Sequence, residues 1–184
     1  MRLPVLAACL ALLASPLSAQ SRQLVGVPAA AVSPAADLSP GAFLVLPEGV
    51  ARPPVVIVLG GSEGGDGAAR TKAPLFVAAG CAVLGLPYYS PAYGSQPQQV
   101  PGLPKAFVDI PLDLVERARD WLRARGDVDG QRIGLYGVSK GAELALAAAA
   151  RIDGLAAVAA IVPSDVVWEG WGDGRPEGTS GSFA

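Results

Sequence analysis

Ser139 is the residue best placed to do chemistry in this sequence, because it lies between two glycines in Gly137-Val138-Ser139-Lys140-Gly141. Residues 132–136 before the motif, an arginine followed by mostly apolar residues, predict a short buried strand, and the Ala- and Leu-rich residues 140–151 after it predict a helix. Gly-x-Ser-x-Gly between a strand and a helix is the pattern of a nucleophile elbow, a tight turn that exposes a strained serine. The glycines are needed there because side chains at both positions would collide with the neighbouring strand and helix.

The surroundings of Ser139 distinguish a nucleophile from a merely structural serine. Five residues with two glycines are common by chance, but the order turn, apolar strand, motif and Ala-rich helix is more specific. The start of the helix adds unpaired backbone N–H groups and the positive end of the helix dipole beside the serine. We therefore predict that Ser139 is a nucleophile and that the Lys140 N–H is the first donor of an oxyanion hole.

A second glycine-rich segment, Gly60-Gly61-Ser62-Glu63-Gly64-Gly65, follows the β-branched run 55–59. A loop after an early strand supplies the other oxyanion donor in enzymes with a nucleophile elbow, so we assign this role to the N–H of Gly61 or Ser62 and leave the choice open. The alternative is a phosphate-binding loop. It is disfavoured because no Gly-Lys-Ser/Thr follows, and Arg70 stands where a dinucleotide fingerprint has its third glycine.

The sequence contains no histidine, although a serine hydroxyl is a weak nucleophile without a base. Three acids that follow the last predicted strand are interpreted as solvated loop charges: Asp165, Glu169 and Asp173. Glu143, one turn into the elbow helix, is expected to cap the helix or to form a pocket wall. Two tryptophans, Trp168 and Trp171, could line a substrate pocket or simply cover the sheet.

The composition predicts one domain with a substantial core, since 51% of the 184 residues are hydrophobic. A net charge of −2 without a basic stripe argues against nucleic acid as a partner. The charged start, apolar run and small residues of positions 1–19 predict a signal peptide cleaved after Ala19, and thus a secreted or periplasmic protein. The apolar run is too short to span a membrane.

The two cysteines are expected to play no chemical part. Leu6-Ala7-Ala8-Cys9 resembles a lipobox, but cleavage before Cys9 would leave almost no apolar run, so we interpret Cys9 as part of that run. Cys81 is then the one mature cysteine, which excludes an intrachain disulfide and suggests a small buried apolar residue.

Strands and helices alternate along the rest of the chain. In addition to the strand and helix of the elbow, strands are predicted over residues 42–46, 55–59, 81–86 and 155–162, and helices over 68–79 and 111–125. Residues 20–37 predict an irregular lead-in, and 38–184 a catalytic domain. Runs of apolar residues without alternation indicate strands buried on both faces, as in a doubly wound, mostly parallel α/β sheet with helices on both sides.

Four segments together resemble the acyl-CoA thioesterase and bile acid-CoA:amino acid N-acyltransferase family. They are Gly-Val-Ser-Lys-Gly-Ala-Glu-Leu-Ala-Leu at 137–146, the segment 160–170, the glycine-rich segment 59–65 and Leu-Pro-Tyr-Tyr at 86–89. The resemblance implies an α/β-hydrolase domain related to dienelactone hydrolases. It implies a Ser–Asp–His triad and a small-molecule acyl thioester or ester substrate, with no cofactor and no metal.

The sequence departs from this family in three ways. It has no counterpart of the family's N-terminal β-sandwich domain. The family's catalytic Asp and His lie beyond the last matching position, so we expect a truncated domain, incomplete at the C-terminus and with activity near background. Such a domain would leave a sheet edge uncovered beside the strand 155–162. The signal peptide points away from compartments rich in CoA esters. A secreted carboxylesterase or a non-catalytic module that holds a hydrophobic ligand are the alternatives.

Overall fold

The computed structural model describes residues 32–91, 99–172 and 181–184. Within these residues the chain forms one six-stranded sheet and three helices. The strands are β1 (Val32–Pro34), β2 (Phe43–Val45), β3 (Val55–Leu59), β4 (Ala82–Gly85), β5 (Ile133–Val138) and β6 (Ala157–Ile161). The helices are α1 (Gly67–Ala78), α2 (Asp113–Arg123) and α3 (Lys140–Ala149).

The sheet is mostly parallel, in the order β1-β2-β4-β3-β5-β6. The four strands β4, β3, β5 and β6 run parallel, whereas β1 and β2 are antiparallel to their neighbours. This confirms the predicted α/β class. β1 is an addition to the prediction, because it lies in residues 20–37, for which an irregular lead-in was expected. The domain boundary at residue 38 stays a prediction.

Side chains from the two sheet faces enter two cores. Val58 and Val83 pack with Ala73 and Val77 of α1 on one face. The larger core on the other face joins strand residues such as Ile57 to buried side chains of α2 and α3. Because both faces of β3 are covered, its residues are apolar without alternation, as expected for a central parallel strand.

The amphipathic pattern of residues 111–125 forms α2, which begins two residues later and ends two residues earlier than predicted. The apolar face is buried and includes Leu114, Val115 and Leu122. Asp113 and Arg117, one turn apart, form an ion pair on the exposed face.

β6 corrects the expectation that each parallel strand is buried on both faces, and it agrees with the expectation of an uncovered sheet edge. Val158 is 37% exposed and Ile161 is 43% exposed. The reason is its place in the sheet: β6 pairs with β5 on one side, and no strand among the described residues pairs with its other side.

The sequence-based expectations about the two ends of the chain stay predictions. Residues 1–19, which include Cys9, and Asp173 lie outside the described residues. Among the residues that are described, no helix has both the length and the apolar character that crossing a membrane requires. Cys81 lies one residue before β4 and is partly exposed, which corrects the expectation of a buried residue. The burial that it does have raises the pKa of its thiol.

Candidate active site

Ser139 occupies the sharp turn between β5 and α3. Its backbone has φ +51° and ψ −117°, a left-handed conformation that non-glycine residues rarely adopt. The turn is held on both sides: the Ser139 N–H donates to the carbonyl oxygen of Ile161 at 2.9 Å, and the Ser139 carbonyl accepts the N–H of Ala142 at 2.9 Å. The geometry of a nucleophile elbow is therefore present, with its strain stabilised by the sheet and by the first turn of the helix.

The two motif glycines allow this turn because there is no room for a side chain at either. A Cβ on Gly137 would lie 2.1 Å from the carbonyl oxygen of Gly141. A Cβ on Gly141 would lie 2.3 Å from the carbonyl oxygens of Leu59 and Gly60. The steric reason given for the glycines is thus confirmed, and the second contact brings the start of α3 against the end of β3.

This contact also brings the glycine-rich segment beside Ser139. A Cβ built on Gly61 would lie 3.2 Å from the Cβ of Ser139 and 3.1 Å from the carbonyl oxygen of Val138. Gly61 is buried and Ser62 is partly exposed. The structure therefore places the segment next to the predicted nucleophile, while the roles of Gly61, Ser62 and the Lys140 N–H as oxyanion donors stay predictions.

The Gly61 N–H already has an acceptor inside the protein. It donates to Oε1 of Glu63 at 2.9 Å, and Oε2 of the same carboxylate lies 2.7 Å from the position of a Gly61 Cβ. Sequence reasoning quoted Glu63 within the glycine-rich segment and gave it no role. Its position could have indicated this contact, because Glu63 lies only two residues after Gly61, whose N–H was a predicted oxyanion donor.

Tyr88 fixes the other end of the same peptide unit. Its buried hydroxyl donates to the Gly60 carbonyl oxygen at 2.5 Å. In a planar trans peptide the C=O and the following N–H point in opposite directions, so this bond also orients the Gly61 N–H. Desolvation, followed by the negative charges of Glu63 and Glu143, raises the pKa of Tyr88 well above its usual value, which keeps the hydroxyl protonated and able to donate.

Lys140 and Glu143 form a buried ion pair next to the elbow. Nζ of Lys140 lies 2.7 Å from Oε2 of Glu143, and the two side chains are 10% and 7% exposed. The Lys140 Nζ is also 5.1 Å from the ring centroid of Trp171, which stacks on Phe107. Glu143 was expected to cap the helix or to line a pocket; its carboxylate instead pairs with the lysine that follows Ser139.

The two tryptophans have different surroundings. Trp171 covers the core through its stack on Phe107, with ring centroids 4.5 Å apart. Trp168 is 58% exposed, and its indole N–H donates to the Ser164 hydroxyl at 2.8 Å. Asp165 and Glu169 are exposed in the same segment, as expected for surface charges.

The sheet order, the helices on both faces and the serine turn after β5 define an α/β-hydrolase fold. A solved structure shares that fold: a thermostable esterase from Pseudomonas putida aligns with a TM-score of 0.54 over 91% of this chain and 52% of its own, at 20% identity. At that identity the likeness concerns the fold alone.

Sequence comparison finds a narrower similarity. Residues 110–172, which contain the elbow, match the C-terminal model of BAAT / acyl-CoA thioester hydrolases. Mitochondrial acyl-coenzyme A thioesterase 2 of Mus musculus is 35% identical over 97 residues, or 53% of this chain and 19% of that protein. Acyl-coenzyme A thioesterase 5 of Mus musculus is 35% identical over 120 residues, or 65% of this chain and 26% of that protein. These matches show a similarity to the BAAT / acyl-CoA thioester hydrolase family over part of the chain, and the chain spans about a fifth to a quarter of the length of these relatives.

Proposed function

We propose that this protein is a serine hydrolase of acyl thioesters or esters, with Ser139 as the nucleophile. The positive φ of Ser139 between Gly137 and Gly141 is the observation that carries the proposal, because backbone strain at a serine in such a turn has a catalytic use. The names of the relatives support acyl thioesters, and the predicted signal peptide supports action on esters outside the cytoplasm, in a secreted or periplasmic protein.

The proposed reaction begins with attack of the Ser139 Oγ on the acyl carbonyl carbon. The carbonyl oxygen becomes an oxyanion and accepts hydrogen bonds from the N–H groups of Lys140 and Gly61. Collapse of this intermediate releases the thiol or alcohol and leaves the acyl group on Ser139. Water then attacks the acyl-enzyme and releases the carboxylic acid.

The weak point of this reaction in the 184-residue polypeptide is proton transfer. The Ser139 proton needs an acceptor, and the sequence contains no histidine. Loss of the histidine from a comparable triad lowers kcat by a factor on the order of 10⁶, while binding and the oxyanion hole retain some catalysis. We therefore propose that this polypeptide by itself has hydrolytic activity near background.

One observation favours a second candidate, a non-catalytic module that binds a hydrophobic ligand. The Gly61 N–H, which an oxyanion would need, is held by the Glu63 carboxylate. A protein with an occupied oxyanion donor and no histidine could retain the fold while binding, but not cleaving, an acyl compound.

Hydrolysis of p-nitrophenyl hexanoate and of hexanoyl-CoA separates the two candidates. The wild type is compared with Ser139→Ala and with the matched control Ser33→Ala, which changes a serine in β1. Imidazole in the buffer supplies the missing base. We expect imidazole to accelerate the wild type and Ser33→Ala beyond the rate of imidazole alone, and Ser139→Ala to stay at that rate. Equal rates in all three proteins would instead support the binding module.

A further inference from the structure

The Glu63 carboxylate lies in a space created by two glycines. Its Oε1 is 3.2 Å from the position of a Cβ on Gly60, and its Oε2 is 2.7 Å from that on Gly61. The Ser139 Cβ lies within 3.2 Å of the same Gly61 position. The carboxylate and the serine thus both lie against Gly61, and a side chain on Gly61 would displace the carboxylate.

The segment does not need Glu63 to keep its shape. The Gly64 N–H donates to the Gly61 carbonyl at 3.1 Å, and the Gly65 N–H donates to the Tyr89 carbonyl at 2.7 Å. The Gly60 carbonyl is held separately by the Tyr88 hydroxyl. Since these bonds fix the backbone on both sides of Gly61, a purely structural role for the carboxylate would be redundant.

An acyl oxygen at the oxyanion position would need the Gly61 N–H, which now donates its hydrogen bond to Glu63. A bond from an amide to a carboxylate is charge-assisted and stronger than one to a neutral carbonyl, so the carboxylate outcompetes a weakly bound substrate. Glu63 is an exposed residue, so its side chain has solvent into which it can rotate once the N–H is taken.

We propose that Glu63 is a built-in competitor for the oxyanion donor: its carboxylate holds the Gly61 N–H in the resting protein, and an acyl carbonyl binds by displacing it. Glu63 is in this sense a specificity-determining residue. It favours acyl groups whose chain supplies enough binding free energy to displace the carboxylate over short acyl groups that lack it. This inference rests on the proposed function only in taking the Gly61 N–H as the carbonyl-binding donor.

The test measures ligand binding rather than turnover and uses Ser139→Ala protein. Its result can therefore be interpreted even if the protein has no hydrolytic activity. The probe is hexanamide, a neutral carbonyl compound that the Glu63 charge does not repel. It is titrated into ¹⁵N-glycine-labelled protein carrying Glu63, Glu63→Gln or Glu63→Ala. Glu48→Gln, an exposed acid in a distant turn, is the matched control. The Gly65 amide signal reports whether the segment keeps its fold.

We expect the hexanamide Kd to fall by about 5- to 10-fold in Glu63→Ala and by a smaller factor in Glu63→Gln, since a neutral amide side chain still accepts the N–H but more weakly. The Gly61 amide proton should shift in the same order without ligand, and move on titration. Glu48→Gln should match the parent. Equal Kd values in all proteins, no binding in any of them, or a displaced Gly65 signal in the Glu63 variants would overturn the inference.

Discussion

Replacing Gly137 by alanine tests the elbow, and the same strand supplies a matched control. A Cβ at Gly137 would lie 2.1 Å from the Gly141 carbonyl oxygen, whereas a Cβ at Gly134 would lie 3.5 Å from the Ala157 carbonyl oxygen. Both glycines are in β5, three residues apart. The substitution is chemically identical at the two positions, so a difference in outcome reports the packing of the turn.

The expected magnitude follows from the overlap at Gly137. Real Cβ atoms essentially never lie within 3.0 Å of another heavy atom, so Gly137→Ala must separate β5 from the start of α3 by about an ångström. Overpacking of this kind costs about 1–3 kcal/mol of unfolding free energy. We expect a cost at the upper end of this range, because the atom that the new Cβ meets belongs to the backbone and cannot rotate away. Gly134→Ala should be neutral or stabilise by about 0.5 kcal/mol, since alanine restricts the unfolded chain.

Thermal unfolding followed by far-UV circular dichroism measures both variants. At about 2–4 °C per kcal/mol for a protein of this size, Gly137→Ala should lower Tm by about 6–12 °C, and Gly134→Ala should leave it within about 2 °C of the wild type. If the two variants unfold at the same temperature, the turn is not packed as described and the steric argument for the motif fails.

Two further predictions concern the groups around the elbow. Lys140→Met and Glu143→Leu should each destabilise by about 3 kcal/mol, because each leaves one buried charge unpaired, whereas the double variant should be near neutral; additive losses in urea unfolding would refute this. Tyr88 has a folded-state pKa raised by desolvation and by Glu63 and Glu143, so its stabilisation is complete below the unfolded pKa of about 10 and is lost as pH rises further. The urea midpoint of the wild type should therefore exceed that of Tyr88→Phe by a constant amount below pH of about 10 and by less above it; a difference independent of pH would contradict the assignment.

Local sequence patterns predicted the elements that build the site because each pattern reflects a local constraint. The β-branched run of β3 and the amphipathic spacing of α2 report what covers them, and Gly137 and Gly141 report a turn without room for side chains. None of these inferences requires knowledge of which distant residue lies nearby, so the sequence was sufficient.

The missed features depend on contacts between distant residues or on a strand's neighbours. The bond from Tyr88 to Gly60 joins residues 28 positions apart, and only the packed sheet brings them together. β1 has three residues and no periodicity, so its strand character comes from pairing with β2. The apolar run of β6 led to an expectation of burial on both faces, because such a run does not state on how many sides a strand is paired. The uncovered sheet edge beside this strand was expected.

The peptide unit between Gly60 and Gly61 connects these contacts to function. Its carbonyl is held by a tyrosine that burial keeps protonated, and its N–H is held by the carboxylate of Glu63, an exposed residue. A rigid carbonyl and an exchangeable acceptor on the N–H are what an oxyanion donor requires: the donor is oriented before the ligand arrives, and no backbone reorganisation accompanies binding. Gly141 also packs on the Gly60 carbonyl, so movement of the elbow would disturb the peptide unit whose N–H we propose as an oxyanion donor.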